Sequence, residues 1–164
     1  MFGIALFGFY IIAVIGVIFF PISIPLNWPA NLNWKETLYN LGRINLSPLY
    51  FLSFTHHPFS LRWLLVDFGV NAILTMPFGF GLGYFRRPGW LKLLLWALLT
   101  GLTLEGIQLL VILTIGTLYH TVDINDVILN ALGVIIGFCF FLFLQKVHQK
   151  SNRIVRVQIV EKQD

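Results

Sequence analysis

Apolar positions run along this chain in four blocks, Phe2–Phe20, Val66–Phe85, Trp90–Ile115 and Ile124–Leu144. Each is close to the roughly 20 residues that cross a bilayer as a helix. Pro21 and Pro25 close the first block, and Pro77 lies inside the second. The pattern predicts an all-α membrane protein, a small bundle of about four transmembrane helices with a long outer loop between the first and second. Its expected parts are an anchor helix (1–20), an extracytoplasmic loop (21–65), a three-helix core (66–144) and a basic cytoplasmic tail (145–164).

The fourth block carries a polar stripe. At 100° per residue, Asp123, Asp126, Asn130, Gly133 and Gly137 fall within an arc of roughly 80°. The rest of that surface is Ile, Leu, Val and Phe. A charge at the middle of a membrane helix costs about 2.5–3.5 kcal/mol on insertion scales. The carboxylates must therefore face inward, share protons, find donors or hold a cation. Gly133 and Gly137 form a GxxxG pair on the same face, which allows close helix approach.

Composition supports the membrane reading. Of 164 residues, 57% are hydrophobic and 11% charged, against about 25% charged in soluble domains. The net charge of +4 does not imply nucleic acid. Lys and Arg flank the apolar blocks instead of forming one basic face. Arg86, Arg87 and Lys92 bracket one turn, and Lys146, Lys150, Arg153, Arg156 and Lys162 follow the last block. With four spans these groups share one side, expected to be the cytoplasm, and both termini lie there. The N-terminal block has no Lys or Arg ahead of it, so it reads as a retained anchor and not as a signal peptide. The tail reads as a solvated flank, with anionic lipid headgroups as its alternative partner.

The loop 21–65 is rich in Asn, Pro, Trp and Tyr. Its apolar run Leu49–Phe54 is too short to cross. Trp28, Trp34, Tyr39, Tyr50 and Trp63 suit either an interfacial belt or packing within the loop. The adjacent His56 and His57 read as bystanders more than as a base or metal ligands. Cys139 is the single cysteine and reads as apolar filler. No cofactor or metal is expected.

Depth turns these residues into a site. At 1.5 Å per residue, Glu105 lies about 20 Å along the third block, in the outer half of a core roughly 30 Å thick. Gln108 follows on the face of Gly101 and Glu105. Asp126 and Asn130 lie within about 10 Å of the outer surface, with Asp67 and Asn71 at similar depth. The expected binding set is Asn71, Glu105, Gln108, His120, Asp123, Asp126 and Asn130. Asn71, Gln108, Asn130 and His120 are its expected donors. A proton or cation path is disfavoured, because the cytoplasmic half offers few matching polar residues.

Four patches resemble the VanZ-like family, associated with teicoplanin resistance. Asn45-Leu-Ser-Pro48 is similar to its NLxP element. Asn71-Ala-Ile-Leu-Thr-Met-Pro77-Phe-Gly79 resembles N-x-x-L-x-x-P-x-G. Glu105-Gly-Ile-Gln108 resembles E-x-x-Q. Asp123-Ile-Asn-Asp126-Val-Ile-Leu-Asn130-Ala-Leu-Gly133 resembles D-x-x-D-x-x-x-N-x-x-G. The resemblance covers residues 41–140 and departs once: the family usually has Arg where this chain has His120. It implies a multi-pass protein of the bacterial cytoplasmic membrane with an envelope role, and altered susceptibility to lipoglycopeptides such as teicoplanin.

The leading expectation is a non-enzymatic, outward-facing site. Its partners would be membrane lipids and a lipid-linked envelope component or amphiphilic antibiotic, with no nucleic acid. A homo-oligomer is compatible with it. The alternative is a membrane enzyme acting on a lipid-linked envelope substrate, with Glu105 and Asp126 as acid and base. No serine or cysteine nucleophile is expected beside them.

Overall fold

The computed structural model describes residues 2–19, 34–48, 69–115 and 122–160. Within them the chain forms five helices and no strand. These are α1 (Phe2–Phe19), α2 (Trp34–Leu41), α3 (Gly69–Phe85), α4 (Trp90–Ile115) and α5 (Ile124–Val160). Two are long and apolar enough to cross a membrane, Trp90–Ile115 and Ile124–Asn152. The expectations for Leu49–Phe54, Trp28, Tyr50, Trp63, His56, His57 and Asp67 lie outside the described residues. Trp34 and Tyr39 are exposed on α2.

The helix α5 is the centre of the assembly, with α3 and α4 packed on two of its sides. Small residues make the α3–α5 approach close. A Cβ on Gly137 would collide with the Met76 backbone, and one on Gly79 with the Val134 backbone. Gly133 backs onto Ala72 and Thr75 in the same way. The expected GxxxG pair is therefore a packing seam. Pro77 is exposed and leaves α3 continuous to Phe85.

Packing of α4 against α5 is also close, through Gly101 on the Val127 backbone. Below that contact, Leu82, Leu93, Ala97, Val134 and Phe138 form the buried core. Trp90 stands edge-on to Phe138, with ring centroids 5.9 Å apart. The apolar window of α4 is only 17% buried, against 44% for α5. The uncovered side of α4 carries Leu91, Leu94, Leu95, Trp96, Leu98 and Leu99. An exposed row of this kind suits lipid and not water.

The turn between α3 and α4 lies at the opposite end of α5 from Asp123. Arg87 adopts φ 46° there. Its guanidinium lies 5.7 Å from the Phe141 ring centroid. With its amide oxygen turned to that group, Gln145 accepts from Arg87 Nη1 and Nη2 at 3.1 and 3.2 Å. At the edge, Tyr10 of α1 donates to the Leu74 carbonyl at 2.5 Å. Phe7 packs its ring beside Phe78 and Phe85.

One element is longer than the hydrophobic pattern. The apolar block stops at Leu144, but α5 runs on to Val160. Its 37 residues span about 55 Å at the α-helical rise. No Gly or Pro follows Gly137 in the helix, and Lys, Gln and Arg are good helix formers. Residues 145–160 of the expected tail thus continue the helix.

Candidate functional site

The polar residues gather where α5 begins. The first turn of a helix leaves backbone N–H groups without intrahelical partners, and Asp is among the best residues for satisfying them. Asp123 stands just before α5. Its Oδ1 accepts from the backbone N of Asn125 at 2.8 Å and from Asn125 Nδ2 at 2.7 Å. Its carbonyl accepts from Asp126 N at 3.0 Å and Val127 N at 3.4 Å. A negative cap here is also favoured by the helix dipole.

Two distant segments complete the environment of Asp123. From α4, Glu105 Oε2 accepts its backbone N–H at 3.0 Å. From the segment after α2, Asn45 Nδ2 donates to Asp123 Oδ2 at 3.0 Å. The Asn45 backbone also donates to Val122 O at 3.0 Å and accepts from Ile124 N at 2.9 Å, a parallel bridge. Asn45 Oδ1 accepts from Ser47 N at 3.0 Å, and the Ser47 carbonyl accepts from Asn125 Nδ2 at 3.2 Å. The Asn45–Ser47 segment is a hook over the start of α5.

One turn into α5, the network meets α3. Asn71 Nδ2 donates to Asp126 Oδ1 at 2.8 Å. One turn further, Thr75 Oγ1 lies 2.8 Å from the Asn130 carbonyl, with the Asn71 and Ala72 carbonyls at 3.1 and 3.2 Å. Thr75 is fully buried, and its hydroxyl ties α3 to α5 across the glycine seam.

Of the predicted binding residues, the structure joins Glu105 to Asp123 and Asn71 to Asp126. Asp123 links the two acids, its backbone N–H donating to Glu105 Oε2 and its carbonyl accepting from Asp126 N. Asn130 lies one turn below Asp126 with 2% of its surface exposed. Gln108 lies one turn beyond Glu105, and His120 falls outside the described residues. Among the described residues, Glu105 Oε1, Gln108 Oε1 and Asn130 Oδ1 are buried without a hydrogen-bond partner. No group of three or more His, Cys, Asp or Glu among them is arranged to hold a metal ion.

Two residues of the network were missed in the sequence. Asn125 points away from the polar stripe, but an Asp-x-Asn start is an Asx-turn signal. Thr75 lies four residues after Asn71 on the same face of α3, and that spacing was available. What no spacing supplied was the pairing of Asn45 with Asp123.

The family model VanZ/LLP1 matches residues 7–145. The chain belongs to the VanZ/LLP1 family. The match takes in every residue of the network, from Asn45 to Asn130, and stops at Gln145, the first residue of the expected tail. Family membership and the two long apolar helices together make this VanZ/LLP1 member a membrane protein. Comparison with curated proteins and with solved structures finds no match.

Proposed function

We propose that the protein is a four-span component of the bacterial cell envelope with both termini in the cytoplasm. Its polar site opens within the outer part of the membrane and binds the polar portion of an amphiphile. That ligand is a lipid-linked envelope component or an amphiphilic antibiotic of the teicoplanin type. The observation that carries this reading is the gathering of Asn71, Glu105, Asp123, Asp126 and Asn130 at one end of the α3–α4–α5 bundle. Arg86, Arg87 and Lys146 lie at the other end, which by the positive-inside rule is cytoplasmic. An intramembrane ionisable residue is expensive and marks a functional position by default.

The test is teicoplanin susceptibility in a host lacking the gene. Wild type, Glu105→Gln and Asp126→Asn are compared at matched membrane abundance, with vancomycin as the non-lipidated control. Teicoplanin-selective protection that both substitutions remove is the expected result. Correctly inserted wild type that protects against neither drug would remove the resistance part of the reading. Turnover of a lipid-linked substrate, abolished by Glu105→Gln, would replace the binding protein with an enzyme.

A further inference from the structure

The end of the bundle opposite the polar site carries a cation in a defined pose. The backbone N–H groups of Arg86 and Arg87 both donate to the Leu82 carbonyl, at 3.0 and 2.9 Å, and close α3. Arg87 adopts the left-handed region there, at φ 46°, where glycine is the residue without a steric cost. What the arginine gains is a seat on α5. Its guanidinium lies over the Phe141 ring, and Gln145 accepts from both Nη1 and Nη2. That engages two of the five N–H donors of a guanidinium. The Nε edge, which can give a phosphate two parallel hydrogen bonds, meets no partner among the described residues.

The charge at this end has no acid to balance it. Arg86, Lys92 and Lys146 are exposed around Arg87, and the chain has no Asp or Glu in 68–104 or 127–160. The acids that follow, Glu161 and Asp164, come after Val160, itself about 22 Å beyond Gln145 along the α5 axis. Depth matters as well. Ile124 to Gln145 is about 32 Å of helix, just past a hydrocarbon core of roughly 30 Å. Arg87, Gln145 and Lys146 therefore lie at headgroup level. Tyr84, Phe85 and Trp90 are exposed beside them, as interfacial aromatics are. Arg153 and Arg156 fall about 12 and 16 Å further along α5, past the headgroup layer. Positive charge at a cytoplasmic membrane face is general to multi-pass proteins. That rule asks only for charge. It does not account for a guanidinium seated on one ring and one amide from a backbone position that favours glycine.

We infer that Arg87, held by Phe141 and Gln145, is the bidentate contact for the phosphate of an anionic phospholipid headgroup, with Arg86, Lys92 and Lys146 supplying the surrounding positive field. A planar guanidinium matches phosphate in a way that an ammonium does not. A lipid suits the place better than a free phosphate, because the fork lies at headgroup depth and the exposed Leu91, Leu94 and Leu95 of α4 stand ready for acyl chains. The contact is separate from the outer polar site and does not depend on what that site binds.

The experiment uses the full chain in a neutral detergent and reads bound lipid by native mass spectrometry. Phosphatidylglycerol and phosphatidylcholine with the same acyl chains are offered in equal amounts. Both carry a phosphate, and only the first carries net charge. The expected result is a preference for phosphatidylglycerol of about fivefold or more, the effect of one cation at a lipid surface. Arg87→Gly suits the left-handed backbone and so spares the α3 cap, and it should bring the preference below about twofold. Arg87→Lys keeps the charge and loses the fork, and it should cut the preference to about half or less. Arg153→Gln combined with Arg156→Gln should leave it at the wild-type level. Equal binding of the two lipids by wild type, or a preference that Arg87→Gly leaves intact, would overturn the inference. Wild-type preference in Arg87→Lys would remove the fork and leave only charge. Loss of preference in the tail variant would replace the site with diffuse attraction to the tail. Displacement of the lipid by millimolar inorganic phosphate, at constant ionic strength, would replace it with a site for a free anion.

Discussion

Asn45 and Asp123 lie 78 positions apart and are joined side chain to side chain at 3.0 Å. Two backbone hydrogen bonds flank that contact, Asn45 N to Val122 O at 3.0 Å and Ile124 N to Asn45 O at 2.9 Å. All four polar groups of Asn45 are engaged within this hook. The start of α5 is thereby fixed by a segment that precedes the core in sequence. The same aspartate receives Glu105 through its backbone N–H, so hook and acid meet on one residue.

The hook should be measurable as coupling. Asn45→Ala and Asp123→Ala should each lower stability by about 1–2 kcal/mol, through lost hydrogen bonds and a lost helix cap. The double variant should cost about 1 kcal/mol less than the sum, because each single change already breaks the shared bond. Thermal unfolding of purified protein in micelles, followed by circular dichroism, reads this. Strict additivity would mean that the side-chain bond contributes nothing.

The glycine seam predicts opposite outcomes for one substitution. Gly137→Ala and Gly79→Ala put a methyl group into the backbone of the facing helix, at Met76 and Val134. Neither backbone can yield without separating α3 from α5, so both should destabilise by about 2 kcal/mol or more. Gly106→Ala meets nothing within 4 Å. It should be neutral or stabilising by up to about 1 kcal/mol, the helix-propensity gain. Equal effects at all three positions, in the same unfolding assay, would contradict the packing described.

Thr75→Val preserves shape and removes a hydroxyl that meets Asn130 O at 2.8 Å. The expected loss is about 1–2 kcal/mol, with most of it recovered by Thr75→Ser. If Ser and Val behave alike, the bond to Asn130 is not what makes the position matter.

Topology has a direct test, because Cys139 is the single cysteine. In a Cys139→Ser background, Ser47→Cys should react with a membrane-impermeant maleimide on intact cells. Lys146→Cys should react only after permeabilisation. The reverse pattern would invert the proposed orientation, and labelling of both on intact cells would break the proposed four-span arrangement.

Much of the architecture was legible because a bilayer imposes few solutions. The apolar block Trp90–Ile115 is α4 residue for residue, and the last block begins with α5 at Ile124. The C-terminal limit of α5 was not legible, because hydropathy reports where lipid ends and not where a helix ends. Helix periodicity also put Asp123, Asp126, Asn130, Gly133 and Gly137 on one side, but it could not divide their roles. Asp123 caps α5, Asp126 meets Asn71, and the two glycines are contact points for α3.

The sequence by itself determined the two long apolar helices, the polar stripe and the family, since each depends on spacing along one element or on an ordered set of motifs. Only the tertiary structure decided that Asn45 hooks Asp123, that Thr75 ties α3 to α5, and which acceptors are left unmet. Those outcomes depend on which N–H or O–H reaches which oxygen across 18, 55 or 78 residues of chain. A hydrogen bond is sensitive to tenths of an ångström and to direction. Periodicity says which way a residue faces, and only packing says what it meets.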